Sequence, residues 1–149
     1  MPAVDVTDLA GKSIKLESLK KQWLLIVVAP SSCDEVCDKN LFMQRQLRDM
    51  LGRERNRVDK IWLVTDNGPI KPELIKAGGP NLQIYRMAAH DLDAWLKPSE
   101  GHTLSQQTFL VDPMGNWMMR FPANPDPYKI KKDLSKMLTA TSSWDNEGR

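Results

Sequence analysis

Cys33 and Cys37 are the two cysteines of the sequence, four residues apart. A near-adjacent pair is more often redox-active or metal-binding than structural, because so short a loop gains little from closure entropy. On a helix this spacing puts both sulfurs on one face. The pair also falls where an apolar run ends and a helical pattern begins. The unpaired N–H groups and partial positive charge of a helix start stabilise a thiolate, the form that attacks disulfides and binds metals. Asp34, Glu35 and Asp38 oppose this, since nearby carboxylates raise a thiol pKa while favouring bound cations. The balance points to holding a soft cation or to a modest reductant, and away from strong oxidation. In thiol exchange Cys33, nearer the helix start, would attack and Cys37 would resolve. An inert disulfide or two buried thiols is the bland alternative.

The elements around the pair follow from pattern. Val4–Asp8 and Ser13–Leu16 read as an N-terminal β-hairpin, and Glu17–Lys21 as a helical turn. Trp23–Ala29 is nearly continuously apolar, as in a central strand covered on both faces, and Pro30 ends it. A helix is expected from the cysteine segment to about Leu51, stopped by Gly52. Ile61–Thr65 and Leu82–Arg86 read as strands, Pro72–Ala77 as a short helix, and Asp91–Leu96 as a helical turn or two. Thr108–Asp112 and Asn116–Phe121 form a hairpin across Pro113-Met114-Gly115, and Pro127 opens a helix to about Leu138. This order predicts an α/β thioredoxin-like fold, a mixed central sheet flanked by helices, over 1–138, with a flexible polar tail over 139–149.

The length suits one domain with its own core. A formal net charge of +2 gives little attraction to nucleic acid or acidic lipid, and no basic-aromatic interleaving of the RNA-binding kind occurs. No apolar stretch reaches the ~18 residues of a membrane span. Met1-Pro2-Ala3-Val4 lacks the charged and apolar regions of a signal peptide.

The chain resembles the SCO/SenC family, copper-handling assembly factors of cytochrome c oxidase, as a distant member. The likeness runs in order through Val6-Thr7-Asp8-Leu9-Ala10-Gly11-Lys12, Leu16-Glu17-Ser18-Leu19-Lys20, Trp23-Leu24-Leu25-Ile26-Val27 and the Cys-x-x-x-Cys segment. It continues through Val64-Thr65-Asp66 with Lys71-Pro72-Glu73, Gly101-His102-Thr103, and Phe109-Leu110-Val111-Asp112-Pro113-Met114-Gly115. The resemblance implies copper ligation by Cys33, Cys37 and His102, a donor set that suits Cu(I) and can hold Cu(II). It implies a copper chaperone, or a thiol reductant preparing the oxidase copper site. It also implies a membrane anchor and a periplasmic or equivalent oxidising compartment. The partner would be the copper-site subunit or another assembly factor, met by a monomer. Two other readings stay open: a metal-free thiol–disulfide oxidoreductase, and a binding module that has lost the chemistry.

Three positions depart from the family pattern. Asp38 replaces the usual proline after the second cysteine. Leu104 stands in the histidine column, with His102 two residues earlier. Gln107 stands where thioredoxin-like oxidoreductases commonly have a cis-proline, so a trans bond is expected. His90 reads as a surface or capping residue and a fallback ligand. Met114, Met118 and Met119 read as packing rather than copper sites, since Trp117, Met119 and Phe121 alternate on one strand face. Arg45, Arg48, Arg53, Arg55 and Arg57 complement the helix dipole or offer a face to an acidic partner. Trp144 is an exposed aromatic by position.

Overall fold

The computed structural model describes residues 1–122 and 126–142; Trp144 and the end of the expected tail lie outside them. Seven strands form one mixed sheet: β1 (Asp5–Asp8), β2 (Ser13–Lys15), β3 (Trp23–Ala29), β4 (Val58–Val64), β5 (Leu82–Arg86), β6 (Thr108–Val111) and β7 (Trp117–Phe121). The helices are α1 (Glu35–Met50), α2 (Pro72–Ala77), α3 (Ala89–Asp93) and α4 (Pro127–Ala140). The strand order is β2-β1-β5-β4-β3-β6-β7. β3, β4 and β5 run parallel, and β1, β6 and β7 join antiparallel. The thioredoxin-like layout and the N-terminal hairpin are as expected.

All seven residues of β3 are buried, because both faces of the sheet are covered. Trp23 and Leu25 pack with Leu47 of α1 and Leu134 and Leu138 of α4. Val27 and Ala29 pack with Cys37, Leu41 and Trp62. The alternate residues Leu24, Ile26 and Val28 face the opposite layer, with Leu16, Leu92 and Leu96. Each such aliphatic side chain contributes about 1.5–3 kcal/mol by leaving water.

Several polar groups inside this packing tie elements together through hydrogen bonds. The Gln44 Nε2 of α1 donates to the carbonyls of Leu25 and Ile61 at 2.7 and 2.9 Å, tying the helix to two strands. Lys60, only 2% exposed, donates from Nζ to the Gly78 carbonyl at 2.7 Å. Its burial first, then Arg48 and Arg45, push its pKa down to about 8, with Asp49 opposing. Arg57 bonds Glu54 at 2.9 Å and donates to the Leu138 and Thr141 carbonyls at the end of α4. Arg48 and Arg45 donate to the Val58 and Ala77 carbonyls. These three arginines therefore bond to backbone carbonyls of neighbouring segments, a role the sequence pattern does not indicate.

Several boundaries differ from expectation. β4 begins at Val58, three residues before Ile61, because Lys60 is buried by its bond to Gly78 rather than lying in a loop. Gly52 does close α1, with a φ of 61°, but a 3-10 segment (Gly52–Arg57) follows it. α3 spans Ala89–Asp93 rather than 91–96, and α4 continues two residues past Leu138.

Candidate thiol site

Cys33 and Cys37 are joined as a disulfide, with their Cα atoms 5.1 Å apart. They do not share a helical face, because Cys33 lies outside the helix. Asp34 is the N-cap of α1, and its Oδ1 accepts from the Cys37 backbone N–H at 2.9 Å. Cys37 sits in the first turn, 1% exposed, against Val27, Leu41 and Trp62. Cys33 precedes the cap and turns the chain with a φ of 43°, its N–H bonded to the Pro30 carbonyl at 3.0 Å. Its sulfur-bearing residue is half-buried, so it is the more accessible member of the pair.

The acidic neighbours are organised around the helix start. Asp34 caps it, and Glu35 pairs with Lys39 at 3.2 Å, both side chains largely in solvent. Asp38 is exposed. Carboxylates at a helix N-terminus suit the dipole while opposing a second negative charge on sulfur.

His102 is exposed, and its Nδ1 lies 3.1 Å from the Glu100 carbonyl oxygen. The segment is a loop leading into a 3-10 turn (Leu104–Gln106), not a strand. Gly101 takes a φ of 80°, and Thr103 and Gln106 form a reciprocal capping box. Leu104, not His102, lines the cleft beside the Pro30 turn, a space of about 360 Å³ that Val28, Ala29, Leu92 and Pro98 also border. Among the described residues no three His, Cys, Asp or Glu side chains gather to hold a metal. In this oxidised form the sulfurs are bonded to each other and offer no thiolate. The residues as arranged do not fit a three-ligand copper centre. His90 is exposed and 3.2 Å from Asp91, in keeping with a surface role.

Gln107 has a defined part. Every peptide bond among the described residues is trans. Its buried side chain accepts from the Ser99 N–H at 2.8 Å and donates to the Ser99 hydroxyl at 2.7 Å. Asn40 of α1 donates to the Ser105 carbonyl at 3.4 Å. These bonds fix the 98–107 segment opposite the disulfide turn. Met118 and Met114 are exposed, while Met119 packs against the α1–α4 cluster.

Sequence reasoning assigned no role to Ser31 or Asp66. Asp66 follows β4, and its Oδ1 accepts from the Ser31 N–H at 3.1 Å and the Gly68 N–H at 3.2 Å. The Ser31 hydroxyl also donates to this carboxylate and holds it below the usual carboxylate range. Desolvation opposes that shift, and the two N–H groups and Arg86 assist it. The signal was the Val64-Thr65-Asp66 segment, which placed an aspartate after the strand beside β3.

Residues 23–141 match the family described as transmembrane-like, thioredoxin-like, C-terminal domain. Among curated proteins no sequence match is found. The fold is similar to that of Arabidopsis thaliana ScoI with copper bound (15% identity, 91% of this chain and 96% of that one, TM-score 0.70). It is similar to a SCO1/SenC family lipoprotein from Bacillus anthracis str. Ames (19% identity, 91% and 93%, TM-score 0.65). It is also similar to BsSco, a member of the Sco family of cytochrome c oxidase assembly proteins for which a disulfide switch is described (21% identity, 93% and 92%, TM-score 0.63). The SCO/SenC resemblance read from the sequence thus returns as a likeness of fold. Among the described residues no helix is long and apolar enough to cross a membrane. The match over residues 23–141 spans every element from β3 to α4, and the chain belongs to the transmembrane-like, thioredoxin-like C-terminal domain family.

Proposed function

We propose that this chain is an SCO-like thiol protein whose Cys33–Cys37 pair reduces a disulfide in a copper-site assembly partner. The observation that carries the reading is the disulfide itself, between a half-buried Cys33 at a turn and a buried Cys37 in the first turn of α1. In the reduced chain the Cys33 thiolate attacks one sulfur of the partner disulfide. The partner's other sulfur leaves as a thiolate and takes up a proton. The Cys37 thiolate then attacks the Cys33 Sγ and expels the second partner thiolate, which is also protonated. Two electrons and two protons pass to the partner, and the Cys33–Cys37 disulfide forms. A dithiol donor returns the pair to its reduced state. The partner in this reading is the copper-site subunit of cytochrome c oxidase or another assembly factor. The domain works as a monomer on the periplasmic, oxidising side of a membrane, through an anchor outside these residues.

A second reading, transport of copper as cargo, is favoured by one observation: reduction would leave two soft thiolates on residues 5.1 Å apart at Cα. His102 would be the third donor in that reading, which requires it to leave the Glu100 carbonyl. Two measurements separate the readings. The first is exchange of the pair with a model disulfide. The second is Cu(I) titration of the reduced chain against a chelator, repeated with His102→Ala. A pair that reduces no disulfide removes the first reading. A reduced chain that leaves Cu(I) with the chelator removes the second.

A further inference from the structure

The loop that follows β4 closes on Ser31, two residues before Cys33. The Asp66 carboxylate takes both its N–H and its hydroxyl, from 35 residues away. Arg86 Nη1 donates to the Asp66 carbonyl at 2.8 Å and holds Asp66 from the β5 side. Gly68 permits the approach, since a Cβ there would fall 2.3 Å from the Ser31 Oγ. Ser31 is left 6% exposed.

The segment so held carries a strained residue. Cys33 has a φ of 43°, in the left-handed region that a residue with a side chain occupies at a cost. Such a conformation persists only where its surroundings over-determine it. In the oxidised chain the disulfide is one restraint. After reduction the remaining ones are the Cys33 N–H bond to Pro30, the Asp34 cap and the Ser31–Asp66 contact. How readily one thiol finds the other depends on how little freedom the reduced turn has.

We propose that Asp66 is a positioning residue for the Cys33–Cys37 couple, clamping Ser31 so that the turn keeps Cys33 within reach of Cys37 in the reduced form. The inference rests on the thiol-exchange reading above. Asp66 acts through Ser31, and the clamp favours ring closure to the disulfide.

The test equilibrates the full chain with mixtures of reduced and oxidised glutathione and reads the disulfide fraction by alkylation and mass. Asp66→Ala should lower the equilibrium constant for disulfide formation about tenfold, which is about 30 mV in potential for a two-electron couple. Asp66→Asn keeps an oxygen acceptor and should stay within about threefold of the parent chain. Ser31→Ala, which loses only the hydroxyl, should fall between the parent chain and Asp66→Ala. Melting of the oxidised and reduced forms supplies the control. A merely structural role lowers both equally and leaves the constant unmoved, whereas the clamp makes Asp66→Ala cost the oxidised form more. An Asp66→Ala constant within about twofold of the parent, or an Asp66→Asn shift equal to it, overturns the proposal. Should Asp66→Ala not fold, an unmoved constant in Ser31→Ala overturns it. A parent chain that exchanges normally beside an unmoved variant overturns the clamp alone. A parent chain that does not exchange overturns the thiol-exchange reading and the clamp together.

Discussion

The Asp34 carboxylate accepts a 2.9 Å hydrogen bond from the backbone N–H of Cys37. One residue of the Cys-x-x-x-Cys segment thereby caps the helix that carries the second sulfur. The cap satisfies one of the orphan donors of α1 and fixes where Cys37 enters the core beside Trp62. The same carboxylate puts negative charge next to the thiols, so helix stability and thiolate stability pull in opposite directions.

Asp34→Ala should therefore destabilise the chain by about 1 kcal/mol, the usual cost of losing an N-cap. Asp34→Asn keeps the cap and removes the charge. Its reduced form should react with iodoacetamide at lower pH than the parent, while denaturant midpoints stay close. Equal midpoints for Asp34→Ala and the parent would contradict the capping role.

Lys60 gives a pH dependence with a definite sign. Its pKa is about 8 in the fold, against about 10.4 in an unfolded chain. Between these values the unfolded chain binds more protons, so stability rises with pH across that window and levels off above it. The full effect is on the order of 1–3 kcal/mol. Lys60→Met should remove the slope, and urea midpoints from pH 7.5 to 10.5 would show it. A parent chain that loses stability over this range, with the same loss in Lys60→Met, would contradict the assignment.

Arg57 ties the segment before β4 to the end of α4, through Glu54 and the Leu138 and Thr141 carbonyls. Its side chain is buried, so Arg57→Ala leaves carbonyl groups without this donor and should cost about 2–4 kcal/mol. Lysine should rescue little, because it lacks the planar fork that reaches several acceptors. Chemical denaturation of both variants tests this; parent-like stability in Arg57→Lys would sink the fork argument.

The fold was legible where burial is one-sided or complete. β3 ran from Trp23 to Ala29 as expected, because an uninterrupted apolar run admits few other readings and Pro30 ends it. β4 was legible only from Ile61, since Asp59 and Lys60 look like loop until the Gly78 carbonyl is seen to receive the lysine. The cysteine pair was legible as a unit, but not its geometry: a uniform helix puts both sulfurs on one face, whereas the positive φ of Cys33 makes a turn instead. The Ser31–Asp66 contact joins residues 35 apart, and no local period encodes it. His102 lies in a loop fixed by Gly101 and the Thr103–Gln106 capping box, and no local period encodes where that loop puts the ring.

The 98–107 segment faces the disulfide turn and is held by Gln107 and Ser99. Gln107→Ala should leave the glutathione equilibrium of the pair within about twofold, because its bonds are to Ser99 and not to the 30–33 turn. It should destabilise the chain by about 1 kcal/mol through loss of its two part-buried bonds to Ser99, whose hydroxyl keeps its bond from Arg120. A shift in the equilibrium as large as that of Asp66→Ala would show that the two sides of the cleft act on the pair alike.

In the proposed exchange Cys33 attacks and Cys37 resolves. Mixed-disulfide trapping tests it most directly: Cys37→Ser and Cys33→Ser variants of the reduced chain are each mixed with an aromatic model disulfide and read by mass. Adduct formation at Cys33 in Cys37→Ser should be rapid and stable, and reaction in Cys33→Ser about tenfold or more slower, because its remaining thiol is 1% exposed. Equal rates, or a faster reaction at Cys37, would contradict it.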